Sequence, residues 1–199
     1  MASSLSMERK WCVSLALAAL CSGCATQQLR VGDLLFHVVG QENHITEVTP
    51  GMIDHVAICS AKNQVIEAIP HDGVVLTSLD SVKRREDGYY LIGRVKGADA
   101  KRSVENAFQY LGAGYDSLFL PTPEAIYCSE LVQLAYVDKK GRQLFGTIPM
   151  SFHDASGRIT DYWTRFYSRH GMEVPEGQPG TNPSELSNRK NIKLKGRLR

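Results

Sequence analysis

The sequence predicts an α+β fold, on three observations. Runs rich in β-branched and apolar residues crowd the first half of the chain, between residues 31 and 95. Two helical periodicities follow, over residues 99–112 and 128–138. Strands first and helices mainly later argue against a doubly wound sheet, in which the two would alternate. Length and composition agree: 199 residues, 43% hydrophobic and 22% charged, suit one globular domain with additions and exclude disorder throughout.

Taken in order, residues 1–23 read as a targeting segment and not as structure. Arg9-Lys10 forms a basic start, counted from Met1 or Met7, and the apolar stretch 11–20 is too short to span a bilayer comfortably. Cys21-Ser22-Gly23-Cys24 resembles the lipobox of bacterial lipoproteins, in which cleavage leaves a lipid-modified cysteine as the new first residue. Ser22 and Gly23 fit that pattern, and Cys21 departs from the Leu usual there. The expectation is a signal peptide over 1–23 and lipid attachment at Cys24; simple secretion and a retained anchor are the other outcomes. Ala25 in the next position favours, by the same resemblance, the periplasmic side of the outer membrane. Several acyl chains give stable attachment, so the membrane is an expected partner.

Residues 24–30 form a short polar linker, and the folded domain is expected over 31–187. Val31-Gly32-Asp33 turns into a mostly buried strand that runs to Val39, and a polar loop spans 40–51. Residues 53–60 and 64–69 read as a hairpin joined by Ala61-Lys62-Asn63. His71-Asp72-Gly73 turns into a short strand at Val74-Val75-Leu76; residues 78–85 predict a short helix and 89–95 a further strand. In the helix over 99–112, Val104, Ala107, Phe108 and Leu111 fall at i, i+3, i+4 and i+7, and Gly112 can end it. Pro121 and Pro123 keep 112–127 irregular. The helix over 128–138 places Cys128, Leu131, Val132 and Ala135 on one face, and 160–169 predicts a third. Beyond Gly171 the Pro, Gly, Asn and Ser content reads as a surface wrap or a frayed end. Residues 188–199 carry six cations and no acid and read as a basic, flexible tail, either simply solvated or able to touch anionic lipid or cell-wall polymer. The formal net charge of +2 is too small to suggest a nucleic-acid partner.

Removal of 1–23 leaves Cys24, Cys59 and Cys128. With Cys24 lipidated, two thiols remain in an oxidising compartment, and a free thiol there is easier to explain if it has a use. Cys128 opens a helix, where free backbone N–H groups and the helix dipole stabilise a thiolate and can hold the oxyanion formed when it attacks a carbonyl. His55, 73 residues earlier, is the natural base. Glu67 shares an otherwise apolar strand face with Val65 and Ile69, and His55 shares one with Ala57 and Cys59. An odd-to-odd register of the hairpin sets Glu67 diagonal to His55, within reach to orient the ring. Cys59, in mid-strand, reads as core. The remaining histidines show no metal-ligand spacing, and neither a metal nor another cofactor is expected.

These motifs resemble the permuted papain-like hydrolases of the YaeF/YiiX type, relatives of the NlpC-type cell-wall peptidases. Gly32-Asp33-Leu34-Leu35-Phe36, Asp54-His55-Val56-Ala57-Ile58, Val65-Ile66-Glu67-Ala68 and Tyr127-Cys128-Ser129-Glu130-Leu131-Val132 match in order, and Gly114-Tyr115-Asp116 with Phe119 resembles a further element. The resemblance implies a circularly permuted papain-like core, an antiparallel sheet packed on helices, in which the nucleophile follows its histidine. It implies Cys128 as nucleophile, His55 as base and Glu67 as orienting acid. Asp33 and Asp116 either bind substrate or cap turns, and Tyr127 either lines the cleft or packs behind the helix. The implied activity is cleavage of an amide in the cell envelope, in a peptidoglycan peptide or a related acyl-amide, through a thioester. Related permuted folds also act on lipid acyl groups, and a lipoprotein that only binds a ligand is the reading from a different class.

Overall fold

The computed structural model describes residues 28–198 apart from 86 and 123. The signal peptide, the lipid attachment at Cys24 and most of the linker fall outside the described residues. Thirteen elements follow in order: β1 (Asp33–Val39), β2 (Ile53–Ala61), β3 (Gln64–Ile69), β4 (Gly73–Ser78), α1 (Leu79–Lys83), β5 (Gly88–Val95), α2 (Ala100–Phe108), α3 (Cys128–Ala135), β6 (Ile148–Pro149), α4 (Asp161–Arg169), β7 (Pro179–Gly180), α5 (Pro183–Ser187) and β8 (Ile192–Arg197). Strands first and helices later give the α+β architecture that the sequence predicts.

Six strands form one antiparallel sheet in the order β4-β3-β2-β1-β5-β8. The inner strands β1, β2 and β3 are mostly apolar because both faces are covered. Leu34, Phe36, Val56, Ile58, Ile66 and Ala68 join Val104, Leu131 and Val132 in the core beneath α2 and α3. The alternate residues Leu35, Ala57 and Val65 pack with Leu79 and Val82 of α1 on the other side. The period of two in a strand makes this division automatic. A third cluster, built on Phe152, Trp163 and Tyr167, lies outside the sheet and walls the cleft described below.

The hairpin register is odd with odd, Cys59 opposite Val65. At the β3–β4 turn, His71 and Gly73 take φ of 72° and 72°. A Cβ on Gly73 would lie 2.0 Å from the Ala113 carbonyl oxygen, so only glycine fits.

Three expectations are corrected. Helix α2 stops at Phe108, and Phe108 and Leu111 are exposed, because Gly112 is drawn to β4 by its N–H bond to the Val74 carbonyl. Helix α3 stops at Ala135, where Tyr136 turns extended and spends its hydroxyl on the buried Gly32 carbonyl. The basic segment 188–199 is not a flexible tail over 192–197, which forms β8 and pairs Gly93 with Leu194. Its Ile192 joins the main core, while Lys193 stays exposed and Lys195 half-buried, a charged edge of the kind that discourages further strand addition. The Arg197 guanidinium lies 3.5 Å from the Tyr89 ring centre. Among the described residues no helix is long and apolar enough to cross a membrane.

Candidate active site

Cys128 is the first residue of α3, with Tyr127 before it in extended backbone. Leu131 is the first residue of α3 whose amide closes back onto the chain, to the Tyr127 carbonyl. The Tyr127 amide itself donates to Glu130 Oε2 at 3.4 Å, so this carboxylate caps the helix, as its place in the first turn suggests. Burial pushes Glu130 up to about 7, against the bond from the Tyr127 amide. The segment 179–183 ties the helix start down. Thr181 donates its amide to the Tyr127 hydroxyl at 2.9 Å and its hydroxyl to Ser129 Oγ at 2.9 Å.

His55 and Glu67 come from the β2–β3 hairpin. His55 Nε2 meets Glu67 Oε2 at 2.7 Å, and the same imidazole faces the Cys128 thiol. With Nε2 committed to the carboxylate, Nδ1 is the nitrogen left for the sulfur. Glu67 is completely buried, and its second partner is Arg85, whose guanidinium grips both carboxylate oxygens at 2.9 and 2.7 Å. Arg85 also donates to the Tyr90 hydroxyl at 3.1 Å. Burial alone would raise Glu67, yet its bonds to His55 and Arg85 hold it far below the usual carboxylate range. Burial likewise opposes charge on His55, and contact with Cys128 and with Glu67 outweighs it, raising the imidazole to about 10. The ring is thus set between two groups that favour its charged form.

The sequence pointed to these three side chains and the structure brings them together. It overlooked Arg85 and Tyr90, although a carboxylate on an apolar strand demands a partner; nothing in the spacing says which cation supplies it. A second network adjoins the first. His37 Nδ1 lies 2.8 Å from Asp54 Oδ1, and Asn43 donates to Asp54 Oδ2 at 2.7 Å. Burial opposes the Asp54 charge, but His37, Asn43 and the neighbouring His55 hold its pKa below the ordinary value.

The remaining expected residues divide. Asp33 lies outside the cleft: its buried carboxylate takes two bonds from Arg94, at 2.8 and 2.6 Å, and one from the Arg30 amide, locking β1 to β5. Asp116 caps a turn, accepting from the amides of Leu118 and Leu120 at 2.8 and 2.6 Å. That turn holds Phe119 at φ 51°, edge-on to Tyr127 with ring centres 5.2 Å apart. Tyr127 both lines the cleft and anchors the 179–183 segment. Tyr115, unassigned from sequence, lines both cavities beside the site.

Those cavities flank the dyad. One, about 80 Å³, opens on Cys128 and Ser129 and is walled by Val48, Met150, Phe152 and Trp163. The other, about 520 Å³, opens on His55 and is lined with His37, His44, Asp54 and Asp87.

A nearby structure in fold is one described as the metalloprotein yiiX from Escherichia coli O157:H7, with a TM-score of 0.68 and 20% identity over 86% of this chain and 98% of that one. Among the described residues of the present chain, no group of three or more His, Cys, Asp or Glu side chains is arranged to hold a metal ion. The comparison with curated proteins finds no match. The model of the permuted papain-like amidase family, YaeF/YiiX, C92, matches residues 28–194. With an antiparallel sheet, a cysteine at a helix start and its histidine earlier in the chain, this protein belongs to that family and is an enzyme of the cysteine amidase and peptidase type.

Proposed function

We propose that the protein is an envelope cysteine hydrolase that cleaves an amide through a thioester, with Cys128 as nucleophile, His55 as acid and base, and Glu67 as its orienting partner. The observation that carries this reading is the 2.7 Å His55–Glu67 contact on an imidazole that also faces a thiol at a helix N-terminus. Cys128 Sγ attacks the carbonyl carbon while the thiol proton rests on His55. The oxyanion forms against the free N–H groups of the first turn of α3, which act most strongly in a site that excludes water. Collapse breaks the C–N bond, and His55 gives its proton to the departing amine. Water then attacks the thioester with its proton passing to His55, and the acid and the thiol are released.

The envelope setting rests on the basic and apolar start of the chain and on Cys24, and a peptidoglycan peptide or related acyl-amide is the corresponding substrate. A lipid-borne acyl group is the second reading, favoured by the apolar walls beside Cys128. Cys128→Ala is expected to abolish release of product from peptidoglycan fragments or acyl-lipids, followed by mass spectrometry, while the melting profile stays in place. Turnover retained by this variant removes Cys128 from the mechanism. Loss of membrane attachment in Cys24→Ala tests the anchor.

A further inference from the structure

The two cavities differ in which member of the dyad they touch, and this gives the cleft a direction. An acyl-transfer step fixes three positions around the carbonyl carbon: the sulfur attacks it, the leaving atom must lie within reach of the His55 proton, and the remaining substituent points away from both. The wide cavity is lined by His55 and not by Cys128, so the leaving group departs into it. The small one is lined by Cys128 and not by His55, so the acyl substituent occupies it.

Size and polarity then limit that substituent. Val48, Phe119, Met150, Phe152 and Trp163 offer hydrocarbon. Phe152 and Trp163 pack edge to face at 5.1 Å, and Trp163 is fixed by its Nε1 bond to the His44 carbonyl at 3.1 Å, so the wall does not yield freely. A cavity of about 150 Å³ holds benzene, roughly 25 Å³ per carbon. On that scale about 80 Å³ takes roughly three or four carbons. The cavity beside His55 is several times larger and is lined by Asp87, His37 and His44, none of which lines the smaller one, so it takes a large, polar leaving group.

We propose that the enzyme acts on an amide whose acyl part bears a short apolar group, the size of a valine or leucine side chain, joined to a large polar amine. A long acyl chain outgrows this cavity, so the lipid-borne acyl reading ranks below the short-chain amide. This rests on the cysteine-hydrolase reading above, and one experiment separates the two.

The full-length protein is given p-nitrophenyl esters with straight acyl chains of two, four, five, eight and sixteen carbons, and acylated Cys128 is followed by mass spectrometry alongside kcat/KM. The rate is expected to climb about fourfold per methylene, the factor that matches about 0.8 kcal/mol of burial, to an optimum at four or five carbons, and to fall at eight and beyond. Met150→Ala, which removes one wall, moves that optimum to a longer chain. An optimum at eight or sixteen carbons, a flat profile, or an optimum that Met150→Ala leaves in place each overturn the acyl-pocket assignment while Cys128 acylation stands. No acyl-Cys128 at any length removes the hydrolase reading, and the assignment with it.

Discussion

Glu67→Gln is the most informative single change, because it keeps the side-chain volume and removes the charge that two partners share. The carboxylate is fully buried, takes two bonds from Arg85 at 2.9 and 2.7 Å and one from His55 at 2.7 Å. Gln retains one acceptor, but its NH2 must face a donor on Arg85 or on His55. Removing one member of a buried ion pair costs about 3–5 kcal/mol, and the retained acceptor places this variant near the lower end, about 3 kcal/mol. For a domain of this size that corresponds to a fall in Tm of roughly 6–12 °C. The pH dependence has a definite sign. Glu67 is held below its ordinary 4.5, so its contribution is complete above that value and fades as pH falls below it. His55 is raised from 6.5 to about 10, so its contribution is complete below 6.5 and is lost as pH rises towards 10. The stability gap between wild type and variant, measured by urea denaturation, should be widest near pH 5–6 and shrink in acid. The alkaline limb of kcat/KM, set by loss of the His55 proton, should move to lower pH in the variant. An unshifted limb together with a gap under about 1 kcal/mol would refute the charge-sharing triad.

Three other outcomes follow from the same structure. Burial and the charge of Asp33 push the Cys59 thiol up to about 11, leaving a thiolate fraction on the order of 1 in 10,000 at pH 7; iodoacetamide at that pH should therefore mark Cys128 first, and equal labelling by peptide mapping argues against an activated nucleophile. Asp33→Asn breaks the buried pair with Arg94 and should cost about 3 kcal/mol in urea denaturation; a raised KM in the folded variant would return Asp33 to the substrate site. Deleting 192–199 removes an edge strand and the buried Ile192, about 2 kcal/mol of apolar contact before any ladder bonds are counted, and should lower Tm by roughly 5–10 °C. An unchanged Tm would mean that the segment contributes nothing to the sheet.

What could be read from residues alone has a physical boundary. The hairpin, Glu67 and Cys128 were legible because each depends on local rules: period-two alternation, a polar side chain on an apolar face, a helix start; the odd-with-odd register came only from the structure. Asp33 and Asp116 were ambiguous because a carboxylate near a turn looks the same whether it caps backbone amides or faces a ligand, and only tertiary placement separates the two. Strand β8 was legible in principle, since Ile192, Lys193, Leu194 and Lys195 alternate, but the count of positive charge masked the period. Helix α5 had a signal too: Asn182-Pro183 with Glu185, in which the Asn182 side chain accepts from the Glu185 amide at 2.7 Å. The cleft walls had none. Met150 and Phe152 come from irregular chain, and although Trp163 sits on the expected helix α4, helical spacing marks it as buried and not as facing a cavity.

The division of the site between two kinds of chain explains how the proposed nucleophile can follow its proposed base in the chain. His55, Glu67 and Arg85 lie within 31 residues, on one hairpin and the turn after α1, so the carboxylate side of the imidazole is set locally. The thiol arrives from 73 residues away on α3, and its distance from the imidazole depends on Leu131 and Val132 packing over Val56, Ile58 and Ile66. Chemistry requires only that a helix start and a strand-borne imidazole face each other across that core. It places no condition on which comes first in the chain. The 179–183 segment then adds what neither part supplies, a clamp on Tyr127 and Ser129 that holds the helix start against the cavity beside Cys128.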